Sequence, residues 1–567
     1  MMQQLKRLNI YGLLAAWVVL NLWQATTTGL DADEAYYAFY AEQLSWGYFD
    51  HPPLVALLIS MGNWLPGELG LRFFNVLVSG LSWYGMWLLL DRPKAGDRFL
   101  LFAVAMLAMP LFQVYGFITT PDGPLLCGAV WFFWAYRRFW QQPNWTNALL
   151  WGGIMSLMLY GKYHGILVIF FTVLSNRKLW LKPSFYLAGF FGAALFVPHL
   201  YWQYLHDFPT FRYHLIGRQD PYEIGHTIGF VLNQLVVAGP LIFPLTFLAL
   251  FGLKREDDVL LRAFRWVSIG FWVFFLNSTF KGSTEAHWTA VLSIGFVYSI
   301  YHYALGRARF TRNLLRLGGA TAILFVVARV WLALDVIPLP AALDTQFEHR
   351  QWTQDLVERA GERTIVFENS YRDASLVRFY AGHPAWTFTN IHYRPSQYDL
   401  RMEEGKQLHQ QAVYYVGNSG WNHPDLTPLT YGKRRYGAVA LDNFPVLDPL
   451  QIYWSPEDWE ERAPTQPVSV TIYNPYPDTV YWDHPSADFR LSLLLEKGIE
   501  NWRFLDLPPP TRRAIPPDSS RLVVTIPWDS TYCPVQAVGL GFRMGNLGTV
   551  LQSALLDTER CESVKGR

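Results

Sequence analysis

Carboxylates collect in one unusual place, the stretch Asp31 to Pro53, which reads Asp-Ala-Asp-Glu-Ala-Tyr-Tyr-Ala-Phe-Tyr-Ala-Glu-Gln-Leu-Ser-Trp-Gly-Tyr-Phe-Asp-His-Pro-Pro directly after the first long apolar run. Acidic groups where a membrane helix meets water are costly enough to mark a candidate site. Asp33 and Glu34 begin an expected interfacial helix. Either one acid caps that helix while the other favours the positive end of its dipole, or one is a general base toward a hydroxyl or phosphate. Farther on, two prolines after Asp50-His51 force extended backbone, which fixes where the preceding side chains point. That loop either carries a solvated histidine or supplies a metal ligand and a phosphate contact, with a second ligand from elsewhere.

Further polar groups fall at other apolar boundaries. Asp122, after Thr119-Thr120-Pro121, is an N-cap or a site acid. Lys162 sits in Tyr160-Gly161-Lys162-Tyr163-His164-Gly165, against the local charge bias, and is expected either to snorkel or to meet an anion. The loop from Phe211 to Arg218 adds Arg212, His214 and Arg218, and Lys281 is followed by Glu285 and His287. Together Lys162, Arg212, Arg218 and Lys281 would form a cationic pocket suited to a phosphate at a bilayer surface. Each cation alone would serve equally well against lipid headgroups or in a structural ion pair.

The elements that must position these groups follow from composition. The chain has 567 residues, 51% hydrophobic and 17% aromatic, too long for one ordinary domain and too apolar for an ordinary soluble one. Apolar runs of roughly twenty residues recur up to about Ile337, and beyond Pro338 none is long enough to cross a hydrocarbon core of about 30 Å. The expected fold class is therefore a mainly α polytopic membrane protein with a soluble C-terminal region. Eleven spans are expected, at about 8–28, 69–90, 98–116, 122–140, 147–160, 162–176, 183–203, 228–252, 262–280, 285–304 and 312–335, the first a retained signal-anchor helix. The fifth and sixth are short and meet at the Lys162 motif, as a broken or re-entrant pair would.

Positive charge alternates between loops. Lys6 and Arg7, Arg92 to Arg98, Arg137 and Arg138, Arg177 to Lys182, Lys254 to Arg262 and Arg307 to Arg316 fall on one side, and the other holds only Arg72, Lys162, Arg212, Arg218 and Lys281. The positive-inside rule then puts the N-terminus in the cytoplasm and every candidate site group, with the tail, on the extracytoplasmic face of the membrane. The expected domains are a membrane domain at 1–337 with a first external loop at 29–66, an α/β unit at 338–440 and an antiparallel β-sandwich at 441–567. The net charge of +1 without a dense basic block argues against a nucleic acid partner. Cys127 lies in an apolar run, and Cys533 and Cys561 could pair in an extracytoplasmic tail. No Cys/His zinc-finger spacing is present.

The order of a first helix, a loop opening Asp-Glu with aromatics after it, Gly-Tyr-Phe-Asp-His-Pro-Pro-Leu, then Thr-Pro-Asp-Gly-Pro-Leu-Leu, then Gly-Lys-Tyr-His-Gly resembles the bacterial protein O-mannosyltransferases and aminoarabinose lipid A transferases of the glycosyltransferase C superfamily, over most of residues 1–335. The resemblance implies an inverting transferase of the cytoplasmic membrane that takes a sugar from a polyprenyl-phosphate carrier, undecaprenyl or dolichyl, and gives it to an extracytoplasmic lipid, glycan or protein. It implies Asp33 as base, with Glu34 beside it, and a divalent metal (Zn, Mg or Mn) at Asp50 and His214. The aminoarabinose branch has Glu where this chain has Asp50 and Lys where it has His51; the donor phosphate would then meet His51, Lys162, Arg212, Arg218 and Lys281, with Asp122, His164, Glu285 and His287 nearby. In the tail, Arg394-Pro395-Ser396-Gln397-Tyr398-Asp399 is similar to a segment of related transferases with external domains. The chemistry agrees, because a sugar phosphate lipid already carries a good leaving group and needs mainly phosphate neutralisation and an activated acceptor. Two other classes remain: a carrier or flippase for lipid-linked sugars, for which the two halves show no inverted repeat, and a membrane-anchored carbohydrate-binding protein.

Overall fold

A computed structural model describes residues 9–94, 96–214, 221–255, 257–334, 348–391, 393–418, 425–431 and 434–454, and in the last part 467–481, 483–484, 487–496, 502–507, 514–526, 535, 537–544, 550–553 and 555–557. The chain divides into two compact units, Met1–Pro338 and Leu339–Arg567.

The first unit is helical. Among the described residues, Ile10–Thr27, Pro183–Leu205, Val259–Lys281 and Ala308–Leu334 are long and apolar enough to cross a bilayer. Side chains such as Phe190, Ile323 and Val327 stay exposed on them, as lipid-facing positions would. Several expected spans are interrupted, and the reasons are local. The run at 98–116 stops at Leu107 and resumes as a short helix Pro110–Val114, because Pro110 drives Met109 into extended backbone. The run at 228–252 is two helices, Ile224–Val237 and Phe243–Gly252, parted by Gly239-Pro240, with Gly239 at φ +98°. At 285–304 a 3₁₀ turn, Ala286–Thr289, precedes the helix Leu292–Ala304. The expected break at the Lys162 motif is present: one helix ends at Gly161, Lys162 is extended at φ −162°, and the next helix runs Gly165–Leu174. Glycines let these helices approach. A Cβ on Gly152 would lie 2.4 Å from the Ala188 carbonyl oxygen, so Trp145–Gly161 and Pro183–Leu205 touch backbone to backbone.

In the second unit, β1 (Thr364–Glu368), β2 (Ala385–Phe388), β3 (Gln411–Asn418), β4 (Thr427–Tyr431) and β5 (Arg434–Phe444) form one sheet in the order β2-β1-β3-β5-β4. The first three are parallel, and helices His349–Ala360 and Tyr371–Ala381 belong to this α/β part. The alternating segments around Val470 and Leu522 pair with each other in antiparallel register, and a separate sheet is built around Ala487–Glu496 and Ala537–Met544. Cys533 and Cys561 lie outside the described residues, and Cys127 is a free thiol.

Candidate active site

The acidic helix runs Ala32–Ala41 and is capped by Asp31 rather than by Asp33 or Glu34. The Asp31 carboxylate accepts the Asp33 N–H at 2.9 Å, and Glu34, three residues after the cap, accepts the Asp31 N–H at 3.1 Å. Glu34 is fully buried. Arg72 donates to it through Nε at 2.8 Å and Nη2 at 2.5 Å, and the Thr119 N–H adds a bond of 2.8 Å. The same guanidinium reaches the Thr28 carbonyl at 2.6 Å and the Gly29 carbonyl at 2.9 Å. Glu34 thus fastens the segment after the first helix to the Gly67–Leu89 helix and the Thr119 turn, and its oxygens are committed to that clamp. Its neighbour Asp33, on the same first turn, is partly exposed.

Asp50 and His51 are turned inward. The Tyr40 hydroxyl donates a short hydrogen bond to Asp50, and the Tyr40 ring stacks on Tyr48 at 4.3 Å. Burial, with Asp50 beside it, pushes the Tyr40 phenol well above its ordinary value, so it stays a donor. His51 is not a solvated loop histidine. Its Nδ1 is buried without a hydrogen-bond partner, and its ring meets Tyr37 at 5.6 Å. Burial pushes its imidazole down to about 4, against the pull of Asp50 and with further depression from Lys162 and His214. It is therefore neutral near pH 7 and lies within the fields of four other candidate groups, Asp50, Lys162, His214 and Asp122.

Lys162 finds its anion inside the protein. Its Nζ lies 2.9 and 2.8 Å from the two oxygens of Asp122, both side chains being buried, and Nε2 of His287 stands 3.9 Å from the same carboxylate. Asp122 is not the cap of its helix; Pro121 holds that place, and Asp122 points at Lys162. Close packing makes the pair, because a Cβ on Gly161 would lie 2.9 Å from the Leu125 nitrogen. His164 packs against Phe275 and Trp288 at 5.2 and 5.8 Å, its Nδ1 buried and unpartnered. His287 also lies within the field of Asp33 and Glu285, which links the acidic helix to the Lys162 pair.

A hydrogen-bond network that sequence reasoning missed holds these segments together. The Trp46 carbonyl lies 2.7 Å from His199 Nδ1 and can only accept, so that nitrogen carries the proton and Nε2 accepts from Tyr163 at 2.6 Å. Gln203 donates to Tyr163 at 3.0 Å and to Thr210 at 2.7 Å, and the Thr210 hydroxyl donates to the Phe49 carbonyl at 2.8 Å. The residue before Asp50 and the residue after Lys162 are thereby tied to one frame.

The remaining groups are placed differently. Arg212, His214, Lys281 and Glu285 are exposed, and Arg218 lies outside the described residues. Among the described residues no group of three or more His, Cys, Asp and Glu side chains is arranged to hold a metal. Arg72 was visible only as one cation on the sparsely charged side; its pairing with Glu34 is the signal that bias carried.

The sequence pattern of the dolichyl-phosphate-mannose-protein mannosyltransferases matches residues 50–202. A lipid A galacturonosyltransferase, RgtD, of Rhizobium johnstonii is 23% identical over 400 residues, 64% of this chain and 83% of the relative. The crystal structure of ArnT from Cupriavidus metallidurans bound to undecaprenyl phosphate superposes with a TM-score of 0.50 at 14% identity, over 75% of this chain and 96% of that one. The mycobacterial arabinofuranosyltransferase AftD is similar more loosely, with a TM-score of 0.42 at 11% identity, over 95% of this chain and 62% of that one.

Proposed function

For this chain, a membrane glycosyltransferase of the glycosyltransferase C superfamily, we propose inverting transfer of a sugar from a polyprenyl-phosphate carrier to an extracytoplasmic acceptor, with Asp33 as general base. The observation that carries this reading is the division of labour between adjacent acids: Glu34 is buried in its clamp with Arg72, while Asp33 stays partly exposed and acts on His287 beside the Asp122–Lys162 pair. Asp33 takes the proton of the acceptor hydroxyl as that oxygen bonds to the anomeric carbon. The bond from that carbon to the phosphate oxygen breaks, and the carrier departs as polyprenyl phosphate. A single displacement inverts the configuration.

Before a donor arrives, Lys162 is neutralised by Asp122 and His51 is neutral. The incoming phosphate therefore competes with Asp122 for Lys162 and draws on the exposed cations Arg212 and Lys281 and, six residues after Arg212 in the sequence, on Arg218. Asp50 and His214 both act on His51 and offer one oxygen and one imidazole nitrogen, a partial donor set for zinc, magnesium or manganese. An ion held there would offset phosphate charge. The eleven-span topology with the acidic loop and a β-sandwich tail outside, in the cytoplasmic membrane, is part of the same proposal.

Membranes holding the protein, supplied with labelled polyprenyl-phosphate sugar and envelope acceptors, provide the test. Asp33→Asn is expected to abolish transfer and leave carrier binding intact; full residual transfer would remove Asp33 from the reaction.

A further inference from the structure

Arg329 takes no part in the reaction above, yet it is a guanidinium buried near the end of the apolar helix Ala308–Leu334, with 4% of its surface exposed. It donates to the Asn21 side-chain oxygen through Nη1 at 3.1 Å and Nη2 at 3.0 Å, and to the Gln113 carbonyl through Nη2 at 2.5 Å. Its Nε is buried without a partner, and among the described residues no carboxylate pairs with it. A cation placed in a membrane helix without an acid beside it is costly, and apolar side chains would join Ala308–Leu334 to Ile10–Thr27 without that cost.

What the guanidinium holds besides the first helix is the start of a link that leads to the acidic loop. The Gln113 carbonyl is one of the last in the short helix Pro110–Val114, where carbonyls lack intrahelical partners. From there the chain passes through Tyr115-Gly116-Phe117-Ile118 to Thr119. A Cβ on Gly116 would lie 2.4 Å from the Asn21 oxygen and 3.1 Å from Arg329 Nη2, so the link packs directly on the Asn21–Arg329 pair. The Phe117 ring is met by two guanidiniums, Arg329 at 5.1 Å and Arg72 at 5.6 Å. The Ile118 carbonyl accepts from the Asn75 amide at 2.8 Å, and the link ends with the Thr119 N–H on Glu34.

We propose that Arg329 is a positioning residue for sugar transfer: by holding the link at 113–119 against the first helix, it sets the Glu34–Arg72 clamp that aims Asp33. The proposal rests on the reading of Asp33 as base. Arg329 itself touches neither donor nor acceptor; it acts through Gln113, Phe117 and Thr119. An anchor between two helices would need only Asn21, whereas the second acceptor and the shared ring both belong to the link. Lysine cannot take its place, because a single ammonium lacks the planar fork that reaches Asn21 and Gln113 together and stacks on Phe117.

The experiment uses the full-length protein in detergent and reads the link in two ways. Hydrogen exchange followed by mass spectrometry reports the Thr119 N–H directly: in Arg329→Lys its peptide is expected to exchange about tenfold faster, the loss of one hydrogen bond, while peptides of Pro183–Leu205 keep their wild-type rates. In transfer from labelled polyprenyl-phosphate sugar, kcat per folded molecule is expected to fall about tenfold with the donor KM unchanged, where a merely structural role would lower only the folded fraction. Should Arg329→Lys fail to fold, Asn21→Ala, which removes the side-chain acceptor, carries both readouts. Exchange needs no donor, so failure of the base assignment is seen separately, as an active Asp33→Asn with wild-type exchange at Thr119. Unchanged exchange at Thr119, exchange raised equally in Pro183–Leu205, or a kcat per folded molecule equal to wild type would overturn the proposal.

Discussion

Two adjacent acids carry opposite burdens, and the capping geometry decides which is which. With Asp31 as cap, the side chain three residues on must turn back toward it, which puts Glu34 inside and leaves Asp33 on the solvent side. Removing charge from Glu34 strands a buried guanidinium. Glu34→Gln is expected to cost about 3–5 kcal/mol of stability and to lower the thermal midpoint in detergent, whereas Asp33→Asn, on a partly exposed side chain, should stay within about 0.5 kcal/mol of wild type while losing transfer. A stable Glu34→Gln enzyme without activity would reverse the roles. The adjacent acids Asp33 and Glu34 were legible in the sequence, yet alone they left cap and catalyst open, because the direction of each depends on the cap Asp31, two and three residues upstream, and on Arg72, 38 residues away from Glu34.

At the level of elements, the break around Lys162 was legible because two glycines flank it, whereas those at Pro110 and Gly239-Pro240 were missed, because the long apolar composition around them reads as continuous spans. The frame around the break was not legible: Tyr163 meets His199, Gln203 and Thr210 across separations of 36 to 47 residues, and the four show no periodicity of their own. That frame gives a prediction about helix placement. Gly161→Ala puts a Cβ 2.9 Å from the Leu125 nitrogen, closer than packing allows, and must shift Lys162 relative to Asp122. Tyr163→Phe instead removes one hydroxyl from the frame without adding bulk. Binding of undecaprenyl phosphate, followed by thermophoresis of the detergent-solubilised protein, is expected to weaken by about tenfold in Tyr163→Phe, the equivalent of one buried hydrogen bond, and by more in Gly161→Ala. Equal affinity in Tyr163→Phe would confine the network to stability.

Across the whole molecule the two compact units carry titrating groups of opposite sign. In the first, burial holds His51 near 4, below its ordinary 6.5, so the native state binds its proton less tightly than the unfolded chain. That contribution is fully present above about 6.5 and is lost as pH falls toward about 4. In the second, burial and the nearby Asp399 push the Asp448 carboxyl up to about 7, from an ordinary 3.8. The native state binds that proton more tightly, so its contribution is present at low pH and is lost as pH rises from about 4 to about 7. The two slopes oppose each other over nearly the same window, and the wild-type profile should look flatter than either part. Single substitutions separate them. Asp448→Asn, which keeps the neutral form at every pH, is expected to steepen the rise of stability between about 4 and 6.5; His51→Asn is expected to leave a net fall over that range. Thermal midpoints of the full-length protein at half-unit pH steps would read both, and parallel profiles for the two variants would show that neither group titrates as its surroundings require.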